Sequence, residues 1–175
     1  MTQSVELLLD DELDAAVRAQ WATLAAAGLP SQARHTGETN APHVTLTVAS
    51  SVQPYLEIAL KSALTGRLPV SVQVGGLLCF AGRDGRLVLT RSVVPTIELL
   101  ELQSVAAELF GDQPGTSPQL EPGHWSPHVT LARKMTAEQV GSALAVLGES
   151  PTLTGTAVGI RRWDSDARTA WQIAS

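Results

Sequence analysis

The sequence predicts an α+β fold made of two related halves, each with the order strand, helix, strand, helix, strand. Three observations support this prediction: apolar residues recur at helix and strand spacing in the same order twice, a five-residue segment is repeated, and 44% of the 175 residues are hydrophobic. That apolar share is enough for a sizeable core. We expect one domain, residues 1–175, with pseudo-symmetric lobes at about residues 1–82 and 86–175.

The first half begins with an apolar strand at residues 5–9. Asp10 and Asp11 then offer an N-cap, and a helix follows with apolar residues three and four positions apart until Gly28. A polar loop leads to the next three elements, which are a strand at 43–48, a helix at 53–64 and an alternating strand from 70.

The second half opens with a turn at residues 82–85 and a returning strand at 86–94. A helix after Pro95 ends near Gly111, and a long loop with three prolines follows. The last elements are a strand at 128–133, a helix at about 136–147, and strands near 153–160 and 169–173.

The repeated segment is Pro-His-Val-Thr-Leu, at residues 42–46 and again at 127–131. Each copy lies on the second strand of its half, with a loop before it and a helix after it. Internal duplication explains both the identity and the shared position better than chance does.

Strand geometry determines what each copy of the repeat presents. Successive side chains of a strand point to opposite faces, so His43 and Thr45 share one face, as do His128 and Thr130. A pseudo-twofold arrangement of the halves would bring both pairs to one central groove.

Two facing histidines suit cleavage of a phosphodiester without a metal. In-line displacement at phosphorus requires one group that takes a proton and another that gives one, and histidine performs either task near neutral pH. The threonine hydroxyls can donate hydrogen bonds to the non-bridging oxygens, where charge accumulates in the transition state.

Two such motifs about 85 residues apart in a duplicated chain resemble the 2H phosphoesterase superfamily, and within it the bacterial 2′-5′ RNA ligase and 2′,3′-cyclic phosphodiesterase branch. The resemblance implies a bilobal fold with antiparallel sheets around a central groove. It implies that His43 protonates the leaving oxygen, that His128 activates water, and that Thr45 and Thr130 bind phosphate. Because the site is nearly symmetric, the acid and base roles stay interchangeable at this stage.

Arg133 extends the second motif to His-x-Thr-x-x-Arg, a pattern that the resemblance associates with substrate phosphate. Strict alternation puts Arg133 on the face opposite His128, so the interpretation requires a twist or bulge; a solvated strand end is the alternative. Val48 occupies the corresponding place in the first copy. We therefore expect the groove to bind its ligand asymmetrically.

Two further residues are candidates for base or groove contacts. Trp125 either stacks on a base at the groove edge or packs under the long loop. His35 either lines the groove or is a surface histidine. Arg161-Arg162-Trp163 either contacts phosphate or forms an exposed strand edge, and we favour the exposed edge.

Several classes of function are excluded or disfavoured. His124 and His128 have a spacing that suits a metal on a helix, but Pro127 argues against a helix, and a lone cysteine, Cys79, excludes a four-cysteine site. We expect Cys79 to be buried, and no metal or cofactor. The net charge of −5 argues against a long nucleic-acid interface. We expect no membrane segment and a cytoplasmic protein.

The sequence thus favours a metal-independent phosphodiesterase acting on 2′,3′-cyclic phosphate RNA ends or small cyclic nucleotides, with reversible 2′-5′ ligation implied for some members of the family. The alternative is a non-catalytic protein that binds nucleotides or RNA ends in the same groove. Rival substrates are 2′-5′ oligonucleotides, cyclic dinucleotides and cyclic ADP-ribose phosphates. The loops 31–41 and 112–126 are predicted to set specificity, and the oligomeric state stays open.

Overall fold

Seven strands and four α-helices make up the fold in the computed structural model, which describes residues 2–175. The antiparallel α+β fold and the order of elements are confirmed. The elements are β1 (Gln3–Leu9), α1 (Asp11–Ala26), β2 (His43–Ala49), α2 (Pro54–Leu64), β3 (Val70–Ala81), β4 (Leu87–Val93), α3 (Ile97–Phe110), β5 (His128–Met135), α4 (Ala137–Leu147), β6 (Leu153–Asp164) and β7 (Thr169–Ala174).

The strand pairing interlocks the two halves of the chain. β1 lies between β2 and β6, and β4 lies between β5 and β3, so the third strand of each half pairs with the first strand of the other. β3 and β6 also pair with each other through residues 70–74 and 153–157, and β7 adds to β6. Neither half can therefore complete its sheet without the other.

The motif strands β2 and β5 meet at a single antiparallel bridge between Val44 and Val129. These two residues are the central positions of the repeated segments. The bridge therefore puts the two copies of the repeat side by side and the two histidines on neighbouring strands.

Three of the four α-helices, α1, α3 and α4, begin at a side-chain cap, whereas α2 begins at Pro54 without one. The Asp10 carboxylate accepts a hydrogen bond from the backbone N–H of Leu13 at 2.9 Å and caps the start of α1. Thr136 and Gln139 form a capping box at the start of α4. The predicted apolar face of α1 is confirmed: its buried residues are Leu13, Val17, Trp21 and Leu24.

Two expectations about side-chain burial are wrong. Cys79 is exposed, because it lies in the second part of β3, residues 75–81, where none of the residues is buried. Arg161 and Arg162 are 8% and 7% exposed rather than at an open edge. β6 is covered by β1 on one side and β7 on the other, so its arginines find partners inside the protein.

Candidate active site

The two motif histidines are held in equivalent ways. Nδ1 of His43 lies 2.8 Å from the carbonyl oxygen of Ala41, and Nδ1 of His128 lies 2.7 Å from that of Ser126. A carbonyl oxygen only accepts hydrogen bonds, so each Nδ1 carries a proton and donates it. Nε2 of each ring is thereby left for chemistry.

The backbones of both motifs are anchored by tryptophans. The indole nitrogen of Trp21 donates to the carbonyl oxygen of Thr130 at 3.0 Å, and that of Trp125 donates to the carbonyl oxygen of Thr45, also at 3.0 Å. Each tryptophan comes from the opposite half of the chain. The two bonds fix the strands beside the catalytic candidates with the same pseudo-symmetry as the motifs.

Trp125 does not offer a stacking surface. Its side chain is 8% exposed and belongs to the hydrophobic core. Of the two interpretations of Trp125, base stacking at the groove edge is therefore wrong, because a buried indole has no free face for a base. Packing beneath the long loop is the arrangement that the structure shows.

Arg133 reaches the groove because β5 contains a bulge. Thr90 of β4 pairs with Thr130, but its neighbour Leu89 pairs with Ala132, so β5 has one extra residue at that point. The extra residue reverses the alternation and turns Arg133 to the face of the histidines. Its side chain lines the same cavity as His43.

The electrostatic environment of His128 favours its neutral form. Burial lowers the pKa of His128 below 6.5, and the charges of Arg133 and His43 lower it further, against the hydrogen bond to the Ser126 carbonyl, which raises it. The Phe80 ring also packs against the imidazole, with 4.6 Å between ring centroids. Little space remains on that side of His128.

Charged groups surround His43 instead. The Glu6 carboxylate is 3% exposed, and its Oε1 lies 3.5 Å from Nε2 of His43. Its Oε2 accepts a hydrogen bond from Nε of Arg161 at 2.9 Å, and Nη2 of Arg161 lies 2.8 Å from the same oxygen as part of the ion pair. Sequence reasoning missed this pair, although a single carboxylate inside the apolar run of residues 5–9 is an available signal.

A cavity of about 940 Å³ opens beside His43. Its walls include loop residues 32–41, which contain His35, and residues from the β6–β7 turn. Of the two interpretations of His35, a position in the wall of the groove and a plain surface position, the first agrees with its place in the lining of this cavity. The loop 112–126 contributes nothing to the cavity wall, so the expectation that it shares in setting specificity finds no support in this cavity.

The family of the chain follows from its sequence as a whole. Residues 10–168 match the model of the 2′-5′ RNA ligase superfamily. The chain belongs to this superfamily. The resemblance drawn from the two motifs is confirmed, and it now extends over most of the sequence. No curated protein matches the chain at a significant level.

Solved structures with the same fold cover nearly the whole chain. Escherichia coli LigT in complex with 3′-AMP is 18% identical, with a TM-score of 0.57 over 97% of this chain and 92% of LigT. Usb1 of Kluyveromyces marxianus is 11% identical, with a TM-score of 0.55 over 99% and 98%. TT0787 of Thermus thermophilus is 18% identical, with a TM-score of 0.55 over 98% and 94%. At these identities the likeness concerns the fold.

Membership of the 2′-5′ RNA ligase superfamily makes the chain a member of a group of phosphoesterases. Within residues 2–175, no three His, Cys, Asp or Glu side chains come together in an arrangement that could hold a metal ion. None of the helices in that range has the length and apolar character needed to cross a bilayer.

Proposed function

We propose that this protein is a metal-independent phosphodiesterase that opens 2′,3′-cyclic phosphates at RNA ends or on small nucleotides. The observation that carries the proposal is the Val44–Val129 bridge, which sets two His-x-Thr segments side by side on antiparallel strands. His43 and His128 are diagonal neighbours across this bridge. In regular antiparallel geometry, the Cα atoms of such neighbours are about 7–8 Å apart. A phosphate can be contacted from both sides across such a distance.

His128 is the base in this proposal. Its lowered pKa keeps Nε2 unprotonated at neutral pH, and Nδ1 is occupied by the Ser126 carbonyl. Nε2 takes a proton from water as the water oxygen forms a bond to phosphorus. Phe80 packs against the ring, with 4.6 Å between the ring centroids, and a water molecule is the smallest group that this site has to admit.

His43 is the acid. Its Nε2 gives a proton to the ribose oxygen as the bond between that oxygen and phosphorus breaks. In-line attack puts the leaving oxygen, and with it the ribose, opposite the water. The nucleoside therefore belongs on the His43 side, and that is the side on which the cavity of about 940 Å³ opens. Pockets of such size suit ligands as large as a nucleotide.

The remaining groups stabilise the phosphate. The hydroxyls of Thr45 and Thr130 donate to the non-bridging oxygens, and the Arg133 guanidinium balances the charge that develops on them. With the 5′-hydroxyl of a second RNA end in place of water, the same steps form a 2′-5′ bond: His128 takes the proton of that hydroxyl as its oxygen bonds to phosphorus, and His43 gives a proton to the ribose 3′ oxygen as its bond to phosphorus breaks. The nucleotide seen in the LigT structure, 3′-AMP, supports a nucleotide ligand for this fold.

The test is a screen of the four nucleoside 2′,3′-cyclic monophosphates in the presence of a chelator, with His43→Ala and His128→Ala beside the wild type. Because each proton transfer contributes about 10²–10⁴-fold, each variant should lose at least about a hundredfold in kcat. His124→Ala is the matched control, since that imidazole is exposed and outside the cavity.

Two results contradict the proposal. Activity that requires added metal would overturn the mechanism, and wild-type rates in either motif variant would overturn the assignment of the two histidines. Nucleotide binding without turnover across the whole screen would favour the non-catalytic binding protein instead.

A further inference from the structure

The cavity beside His43 extends away from the motif strands, and His128 is not among the residues that line it. Two segments line its outer part: loop residues 32–41, and residues 163–170 at the β6–β7 turn. Each segment carries an exposed arginine, Arg34 in the loop and Arg168 in the turn. Neither arginine is needed for the proton transfers proposed above.

The cavity concentrates positive charge in a chain whose net charge is −5. Four of the 12 basic residues line it, namely Arg34, Arg133, Arg161 and Arg168, against two of the 17 acidic residues, Glu6 and Glu38. A third of the cations of an acidic protein therefore surround one pocket. Clefts lined by one sign of charge attract ligands of the opposite sign.

Two of the four arginines already have a task. Arg161 is bound to Glu6 and donates from Nη1 to the Thr39 carbonyl at 2.8 Å. Arg133 is close enough to His128 for its charge to lower the pKa of that imidazole, so it belongs with the reacting phosphate. The remaining two form no ion pair with an acidic side chain in residues 2–175, and Arg34 donates one hydrogen bond, from Nη2 to the carbonyl oxygen of Gly28 at 3.3 Å.

The loop that carries Arg34 is held in place before any ligand binds. Ser31 donates to the Trp21 carbonyl at 2.6 Å, and the Asn40 amide donates to the carbonyls of Gln32 and His35 at 3.0 and 2.9 Å. The bond from Arg161 fixes the loop to β6. A preorganised wall lowers the entropy cost of binding.

We propose that Arg34 and Arg168 bind a second phosphate of the substrate, so that the preferred substrate is a 2′,3′-cyclic phosphate that also carries a phosphate on its 5′ oxygen. This inference rests on the proposed function, which puts the nucleoside in this cavity. With the 2′,3′ edge of the ribose between the histidines, the 5′ oxygen is the remaining ribose position that bears phosphate, and it lies at the far end of the sugar. Guanidinium groups suit phosphate because they donate two parallel hydrogen bonds.

Glu38 allows a test in which a negative charge, rather than a positive one, is removed from the cavity wall. It is exposed and lines the same cavity, so its negative charge opposes a second phosphate there. Glu38→Gln should therefore strengthen the preference that Arg34→Gln and Arg168→Gln weaken. A general loss of loop structure would move all three variants in the same direction.

The kinetic experiment compares adenosine 2′,3′-cyclic phosphate with its 5′-phosphorylated form and with a dinucleotide that ends in the same cyclic phosphate. We expect kcat/KM for the wild type to rise about tenfold or more with the second phosphate. Arg34→Gln and Arg168→Gln should each reduce that ratio about fivefold to tenfold. Arg83→Gln, an exposed arginine at the β3–β4 turn outside the cavity, should leave it unchanged.

The dinucleotide separates the two sources of a second phosphate. An equal gain with the mononucleotide and the dinucleotide supports a subsite for the phosphate itself. A gain confined to the dinucleotide shows that further contacts to the strand, and not this subsite, give the preference, and it overturns the assignment. Equal kcat/KM with and without the 5′-phosphate overturns it as well.

A binding measurement separates this inference from the proposed function. Calorimetric titration of adenosine 3′-phosphate and adenosine 3′,5′-bisphosphate needs no turnover. Tighter binding of the bisphosphate that depends on Arg34 and Arg168 supports the subsite even if no cyclic phosphate is hydrolysed, in which case the proposed function alone fails. Equal affinity for the two ligands, in a protein that hydrolyses cyclic phosphates, rejects the subsite alone.

Discussion

The indole nitrogen of Trp125 donates a hydrogen bond to the carbonyl oxygen of Thr45, 3.0 Å away and 80 residues earlier in the chain. The bond joins the segment just before the second motif to the strand of the first. Trp21 makes the equivalent bond to Thr130. The backbone of each candidate catalytic segment is therefore positioned by a side chain from the opposite half.

Trp125→Phe should test that arrangement. The substitution keeps an aromatic ring but leaves the buried carbonyl of Thr45 without its donor, so we expect a loss of about 1–3 kcal/mol in the free energy of unfolding. Urea denaturation measures it. Trp171→Phe is the control, because this indole is 37% exposed and the loss of its bond to Glu57 can be replaced by water; equal losses in the two variants would contradict the prediction.

Arg133→Gln should move the acidic limb of the pH–rate profile. His128 acts as a base when neutral, so activity falls as the pH drops through its pKa, which burial and the charges of Arg133 and His43 hold below 6.5. Without the Arg133 charge, the pKa of His128 should rise, and the acidic limb should move to higher pH with it. The pKa should stay below 6.5, because burial still lowers it. NMR titration of His128 in the free protein checks the shift without turnover.

Lys134→Gln is the control for Arg133→Gln. Lys134 is the adjacent cation and is exposed, and it does not line the cavity. Its removal changes the net charge by the same amount. A limb that moves as far in Lys134→Gln as in Arg133→Gln would mean that overall charge, and not the position of Arg133, sets the profile.

Thr45→Val and Thr130→Val should each lower kcat by about 10²–10³-fold, because each removes one hydroxyl that stabilises the phosphate oxygens in the transition state. Valine keeps the branched shape of the side chain, so the fold should persist. Thr→Ser at the same positions restores the hydroxyl and should recover most of the activity. Single-turnover kinetics measure the effect; serine variants as slow as the valine variants would argue for a packing role.

Glu6→Ala should destabilise the protein by about 3–5 kcal/mol, since it leaves the Arg161 guanidinium buried and unpaired. The double variant Glu6→Met with Arg161→Met should lose less than the sum of the two single variants. Denaturant unfolding provides the comparison. The surface pair Asp14–Arg18 is the reference, and Asp14→Ala should cost less than about 1 kcal/mol.

Asp10→Asn should reduce stability at neutral pH by up to about 1 kcal/mol, because the half-exposed carboxylate caps α1 and also binds Thr156 of β6. Burial raises the pKa of Asp10, but hydrogen bonds from Leu13 and Thr156 outweigh it, and the net pKa lies below 3.8. The advantage of the wild type is thus present above pH 3.8 and lost as the pH falls through the lowered value. Unfolding curves at several acidic pH values should converge for the two proteins.

Much of the site was predictable because the motif lies on strands. Alternation along β2 and β5 explains why His43 shares a face with Thr45, and His128 with Thr130. For Arg133 the sequence left two possibilities, the face of β5 that carries His128 and the opposite face. A bulge depends on how β5 pairs with β4, and the residues of β5 do not encode that register by themselves.

The sequence by itself determined the order of strands and helices and the family, and it singled out two histidines as candidates, because hydrophobic periodicity and a repeated pentapeptide are local signals. Only the tertiary structure decided which strands pair across the halves, that Trp125 is buried, and that the cavity opens on the side of His43. The Glu6–Arg161 contact joins residues 155 positions apart. Such contacts form when the whole chain packs, so the fold adds to the asymmetry that Arg133 and Val48 already give the two motifs.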